Sequence, residues 1–204
     1  PMRHLSSSVS RAAALLAVLA AGTQAAAAPD SAALIARLAR QPPASIAFAE
    51  VRFSSLLVEP LAVSGTLEYQ GPGALERRVE APYRETTTIR GEAVRVERDG
   101  ESARTFALRR APELRGLLTG MIGLLAGDGS FLAEHFTVAA TGDDARWRLE
   151  LVPIDARLKQ RLRAIVVAGN DAEPRCFVIH QTEGGASVML LGAAAAPPLP
   201  QPLA

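Results

Sequence analysis

Apolar and polar residues alternate along much of this chain. Leu61, Val63, Leu67 and Tyr69 fall on one side of a pleat, and Ser64, Thr66, Glu68 and Gln70 fall on the other. Trp147, Leu149 and Leu151 alternate with Arg146, Arg148 and Glu150 in the same way. A period of two is that of half-buried antiparallel strands, with one face apolar and one wet. Strands are expected over 46–58, 61–70, 75–80, 83–90, 93–98 and 103–108, and again over 136–140, 146–152, 162–168, 175–181 and 187–191. Gly71-Pro72-Gly73, Asp99-Gly100, Gly142-Asp143-Asp144 and Gly184-Gly185 punctuate them as turns.

The period shifts to that of a helix in two places. Asp30 or Ser31 caps a short helix carrying Leu34, Ile35 and Leu38, which Pro42-Pro43 ends. Between the two sets of strands, Pro112 suits the first turn of a second helix. Leu114, Leu117, Leu118, Met121, Ile122 and Leu125 then form one continuous apolar stripe. Gly116, Gly120 and Gly123 interrupt that helix, each costing about 1 kcal/mol of helix stability relative to alanine. Residues 130–136 add a further helical turn. The expected architecture is mainly β with helices, a curved antiparallel sheet of about eleven strands with helices packed on one side.

The N-terminus changes the compartment. Arg3, His4 and Arg11 precede the apolar run Ala12–Ala21, and Ala26-Ala27-Ala28 provides a small-residue cleavage site. Residues 1–28 therefore read as a signal peptide, whose apolar run is too short to span a bilayer. Residues 29–192 are of one-domain size, and an Ala/Pro-rich tail over 193–204 is expected to be disordered. Cys176 is the only cysteine, so no internal disulfide forms, and it is expected as a buried strand residue.

Chemistry-bearing constellations are absent. A net charge of +1 argues against a nucleic-acid partner. His135 and His180 lack ligand-spaced neighbours, so no metal or other cofactor is expected. There is neither a Gly-x-Ser-x-Gly elbow nor a phosphate-binding loop, and no catalytic residue is assigned. The apolar helix supports two readings: permanent core, or a lid over an apolar sheet face that shifts when a ligand enters.

Short motifs add a resemblance. The first strand has Phe48-Ala49-Glu50, Gly65-Thr66-Leu67 opens the second and is followed by Pro72, and Asp99-Gly100 falls in a hairpin. Leu149-Glu150-Leu151-Val152-Pro153, then Leu158-Lys159, ends a later strand. With the leader, the early helix and the mid-sheet helices, the chain resembles the periplasmic lipoprotein-carrier (LolA-like) family, as a divergent member. The resemblance implies an incomplete antiparallel barrel covered by a helical lid, and a non-enzymatic carrier of acylated lipoproteins or another hydrophobic chain. It implies an inner-membrane exporter and an outer-membrane receptor as partners of a monomeric protein. The family's lid-tying arginine before the proline is Gly71 here, with Arg77 and Arg78 nearby. The expected cavity and lid residues are Leu67, Tyr69, Trp147, Leu149 and Leu151 from the sheet and the six stripe residues Leu114, Leu117, Leu118, Met121, Ile122 and Leu125 from the helix. A sensor or assembly domain of the same fold, binding a partner protein, is the alternative, and an acyl-ester hydrolase a more distant one.

Overall fold

The computed structural model describes residues 29–55 and 57–196. The expected leader, and the expected tail beyond 196, lie outside the described residues.

Helix α1 (Ser31–Arg37) starts where the Asp30 carboxylate accepts the Ala32 N–H at 3.0 Å. Six strands follow: β1 (Ala44–Phe53), β2 (Leu61–Gly71), β3 (Ala74–Ala81), β4 (Glu85–Arg90), β5 (Ala93–Arg98) and β6 (Arg104–Ala107). A 3₁₀ turn leads into α2 (Pro112–Ala126) and then α3 (Gly129–His135). The chain closes with β7 (Phe136–Asp143), β8 (Arg146–Pro153), the one-turn helix α4 (Ala156–Lys159), β9 (Leu162–Asn170), β10 (Glu173–Gln181) and β11 (Ala186–Leu191). Residues 192–195 form a 3₁₀ turn at the start of the expected tail. No described helix is long and apolar enough to cross a membrane.

All eleven strands form one antiparallel sheet in the order β6-β5-β4-β3-β2-β1-β11-β10-β9-β8-β7. Strands consecutive in sequence make every neighbour pair but one, with β8 and β9 joined through α4. The exception is β1 with β11, where Phe48 faces Leu191 and Glu50 faces Met189. That pairing places the first strand at the centre and leaves β6 and β7 as the two edges. The sheet is thus a curved, open barrel.

Register assigns the faces. Ile46 stands opposite Leu67, and Leu67 opposite Arg77; Ala44 stands opposite Tyr69, and Tyr69 opposite Leu75. Across the other half, Phe177 faces Val167, and Val167 faces Leu149. These positions share the concave side. Leu67, Tyr69, Leu75, Trp147, Leu149, Leu151, Val167 and Phe177 are buried, while Arg148 lies on the outer face and is exposed. Cys176 departs from its expectation: it is half-buried on the outer face, because it alternates with the core residue Phe177.

The helices cover part of the concave face. α2 runs unbroken through its three glycines, which occupy its packed side. A Cβ at Gly116 would meet Leu158 at 2.9 Å and one at Gly123 would meet Leu132 at 2.7 Å. At Gly120 it would lie 3.1 Å from Ile165. The glycines let the helix axis come close to β8, β9, α3 and α4, so the propensity they sacrifice is recovered as contact.

Candidate functional site

A cavity of about 90 Å³ lies between the concave floor and the helices. Ile46, Leu67, Tyr69, Leu75, Phe177 and Leu191 make its floor. Leu38, just past α1, and Met121, Leu124 and Leu125 of α2 make its roof. The lining is almost entirely carbon, with Arg40 as the one charged neighbour. Sites that enclose a whole small molecule are typically about 300 Å³ or more. This cavity is well below that, so enclosing a whole small molecule requires the roof to move.

The roof is fastened unevenly. The glycine flank of α2 is pressed onto β8, β9, α3 and α4. At its C-terminal end, Asp128 N–H reaches the Gly123 carbonyl and Gly127 N–H the Leu124 carbonyl. Gly127 adopts φ +68° there, and a Cβ on it would lie 2.8 Å from that of Ala39. The next free carbonyl, Leu125, accepts the Arg40 N–H at 2.8 Å. The Arg40 guanidinium meanwhile donates to the Ala172 carbonyl at 2.7 Å. Arg40 thereby links the end of α1, the end of α2 and the β9–β10 turn. The flank bearing Met121 and Leu125 borders the cavity.

The expected site residues divide into three groups. Leu67, Tyr69, Met121 and Leu125 line the cavity. Leu118 and Ile122 line an open groove on the other side of α2, beside Ile89 and Phe131. Leu114, Leu117, Trp147, Leu149 and Leu151 pack in the core or against it; the Trp147 indole donates to the Asp171 carbonyl at 2.9 Å. Leu38, Ile46, Leu75, Leu124, Phe177 and Leu191 reach the cavity without having been expected there. For Leu124 a signal existed: it follows Met121 by three residues and adjoins Leu125, so it shares the side of the helix that borders the cavity.

Beyond Phe48 the concave face turns ionic. Glu50 is 3% exposed, the one charged side chain among the buried described residues. Arg52 grips its carboxylate with two hydrogen bonds of 2.9 and 3.1 Å. Arg77 donates to it at 2.7 Å and lies over the Phe48 ring, 4.6 Å from the centroid. Ser187 Oγ completes the set. Further along, Arg98 bonds Glu85 at 2.8 and 3.1 Å and covers the Tyr83 ring. Arg77 therefore serves the sheet rather than the lid, and Arg78 pairs with Glu68 and Glu76. Neither takes the place of the arginine that Gly71 lacks; the Arg40 link fastens the helices instead.

Burial works against ionising Glu50, but the Arg52 hydrogen bond and the charges of Arg52 and Arg77 outweigh it, holding the carboxyl below its ordinary 4.5. A carboxyl with a lowered native pKa stabilises the fold fully above the unfolded value and loses that contribution as pH falls through the native one. Unfolding free energy is expected to decline below about pH 4.5. Chemical denaturation at stepped pH checks this, and Glu50→Gln should flatten the decline. An equal acid slope in Glu50→Gln would assign the effect to other carboxylates.

His135 is exposed, with Nδ1 2.9 Å from the Phe131 carbonyl, and His180 is half-buried on the outer face. Neither approaches the cavity.

No curated protein sequence matches this chain. Among solved structures, a LolA superfamily protein, NE2245 of Nitrosomonas europaea, is similar at 12% identity and TM-score 0.45, covering 83% of this chain and 94% of that one. LprF of Mycobacterium bovis is similar at 14% identity and TM-score 0.36, covering 86% and 94%. The family model described as outer membrane lipoprotein carrier protein LolA-like matches residues 21–198. With nearly its whole length so matched, the chain belongs to the LolA-like family of outer membrane lipoprotein carrier proteins.

Proposed function

We propose that this protein is a periplasmic carrier. It takes an acyl chain of a lipoprotein, or another lipid-like chain, into the cavity beneath α1 and α2 and hands it towards the outer membrane. The observation that carries this reading is a carbon-lined cavity roofed by a helix pressed down along its glycine flank and tied at its C-terminal end by Arg40. The family match supports it, and the apolar leader supports the compartment. Entry of a chain end lifts the Met121–Leu125 flank, releasing the Leu125 carbonyl from the Arg40 N–H, while the glycine flank stays in place. Each further methylene is worth about 0.8 kcal/mol of burial, so a long chain is held without a covalent step. A receptor with a competing apolar groove reverses the exchange by the same term. Donation from an inner-membrane exporter and action as a monomer belong to this proposal.

Filling the cavity tests it. Ala44 begins β1 opposite Tyr69 and lines the cavity. Ala44→Phe should leave the fold intact and exclude the leading end of a dansyl-labelled fatty acid. Losing even two buried methylenes costs about 1.6 kcal/mol, which is more than tenfold in affinity. Uptake by Ala44→Phe equal to wild type would place the cargo elsewhere. A partner protein captured by a wild type that takes up no probe would favour the sensor reading.

A further inference from the structure

The antiparallel topology brings the β1–β2 loop, the β8–α4–β9 connection and the β10–β11 turn to one rim of the barrel. Their contacts confirm that they adjoin. Thr182 bonds the Arg161 carbonyl through its N–H at 3.1 Å and the Gln160 carbonyl through Oγ1 at 2.7 Å. A Cβ on Gly185 would lie 3.4 Å from the Phe53 carbonyl oxygen.

This rim gathers the exposed grease. Among the described residues the exposed large hydrophobics are Phe53, Leu57, Val58, Val152 and Ile154, and all lie at the rim or within two residues of it. Val58 is completely exposed, at 104%. Single exposed apolar residues are ordinary; the gathering of all of them at one end is not. The α4 side of this rim is basic, while the β1–β2 loop carries Glu59 and the β10–β11 turn Glu183. Residues 154–163 carry Arg157, Lys159, Arg161 and Arg163 against Asp155 alone. The Asp155 carboxylate is engaged with the Leu158 N–H at 2.8 Å. Arg161 pairs with Glu183 at 3.5 Å, whereas Arg157, Lys159 and Arg163 have no ion pair among the described residues.

We propose that this rim docks on an anionic lipid bilayer, with Leu57 and Val58 entering the headgroup layer and the α4 segment meeting its phosphates. A protein interface needs a broad, closely packed patch, whereas a bilayer admits isolated apolar tips and rewards a surrounding basic ring. Exposed apolar tips at Leu57 and Val58, on the same rim as cations without an ion pair among the described residues, match the second. Docking is separate from cargo binding, because none of these residues lines the cavity.

The test is co-sedimentation of the processed chain, as isolated from cells, with vesicles of phosphatidylethanolamine and phosphatidylglycerol or of phosphatidylcholine alone. Wild type should sediment with the anionic vesicles, less in high salt, and little with phosphatidylcholine. Leu57→Asp with Val58→Asp should abolish sedimentation. Arg157→Glu with Lys159→Glu should weaken it by about thirtyfold or more. Ala44→Phe should sediment like wild type. A wild type left in the supernatant, or a Leu57/Val58 variant that sediments unchanged, overturns the proposal. Loss of sedimentation in Ala44→Phe also overturns it, by showing that the cavity rather than the rim holds the vesicle. Fatty-acid uptake by the rim variants should stay normal, so failure of docking is distinguishable from failure of the carrier reading.

Discussion

Replacing Glu50 with alanine is expected to lower the melting temperature by about 10 °C. The substitution strands Arg77, whose side chain is only 14% exposed. Arg52, at 41%, can turn to water. Removing one member of a buried ion pair typically costs about 3–5 kcal/mol, mostly as the penalty of the charge left behind. For a domain of this size each kcal/mol shifts the midpoint by about 2–4 °C. Arg77 already has a buried Nε without a partner, so no spare acceptor stands ready to replace the carboxylate. Changing both residues, Glu50→Leu with Arg77→Leu, should recover most of the loss, because an apolar pair needs no desolvation. Calorimetric melting of the single and double variants checks both statements. A Glu50→Ala midpoint within about 2 °C of wild type would show that water reaches the cluster freely.

Leu124→Glu is expected to abolish fatty-acid uptake while the sheet stays folded. Leu124 is 2% exposed and looks down into the cavity with Met121 and Leu125. Left in place, an unpaired carboxylate there would cost several kcal/mol. Lifting the cavity-side flank of α2 relieves that cost by wetting the carboxylate. The sheet beyond keeps its own core, since Leu151 and Ile165 are 0% exposed beneath the glycine flank. A cooperative melt at reduced temperature, with the strand signal in circular dichroism retained and probe binding lost, is the expected result. Ala126→Glu, at the end of the same helix and exposed, serves as control and should bind probe normally. Gross unfolding of Leu124→Glu would make α2 permanent core. Normal uptake would remove the cavity as the cargo site.

Much of the fold was legible because strand and helix periods are local. Tyr69 and Leu67 alternate with Glu68, and the chain can satisfy that pattern only by burying one face. Each expected strand is present, and the turns fall where glycine supplies the left-handed backbone, as at Gly73 and Gly100. The early strand extends only to Phe53 rather than Val58, because the apolar residues 57 and 58 have no strand partner and stand in solvent. The one-turn helix α4 was missed, since four residues contain too little period to detect.

Local pattern was enough to settle most of the elements: their order, their apolar faces, the alternation that places Leu67, Tyr69, Leu149 and Leu151 inside, and the cap of the first helix and the proline that opens the second. It could not settle what those faces meet. The pairing of β1 with β11 joins residues separated by most of the chain, and no local period encodes it. That pairing sets Ser187 beside Glu50 and makes a buried carboxylate tolerable. It also brings Leu191 to the cavity floor. The glycines of α2 lower helix propensity when the chain is considered alone, yet in the fold they are its contact surface. Which of these holds depends on the atoms opposite, and those atoms are supplied by strands distant in sequence.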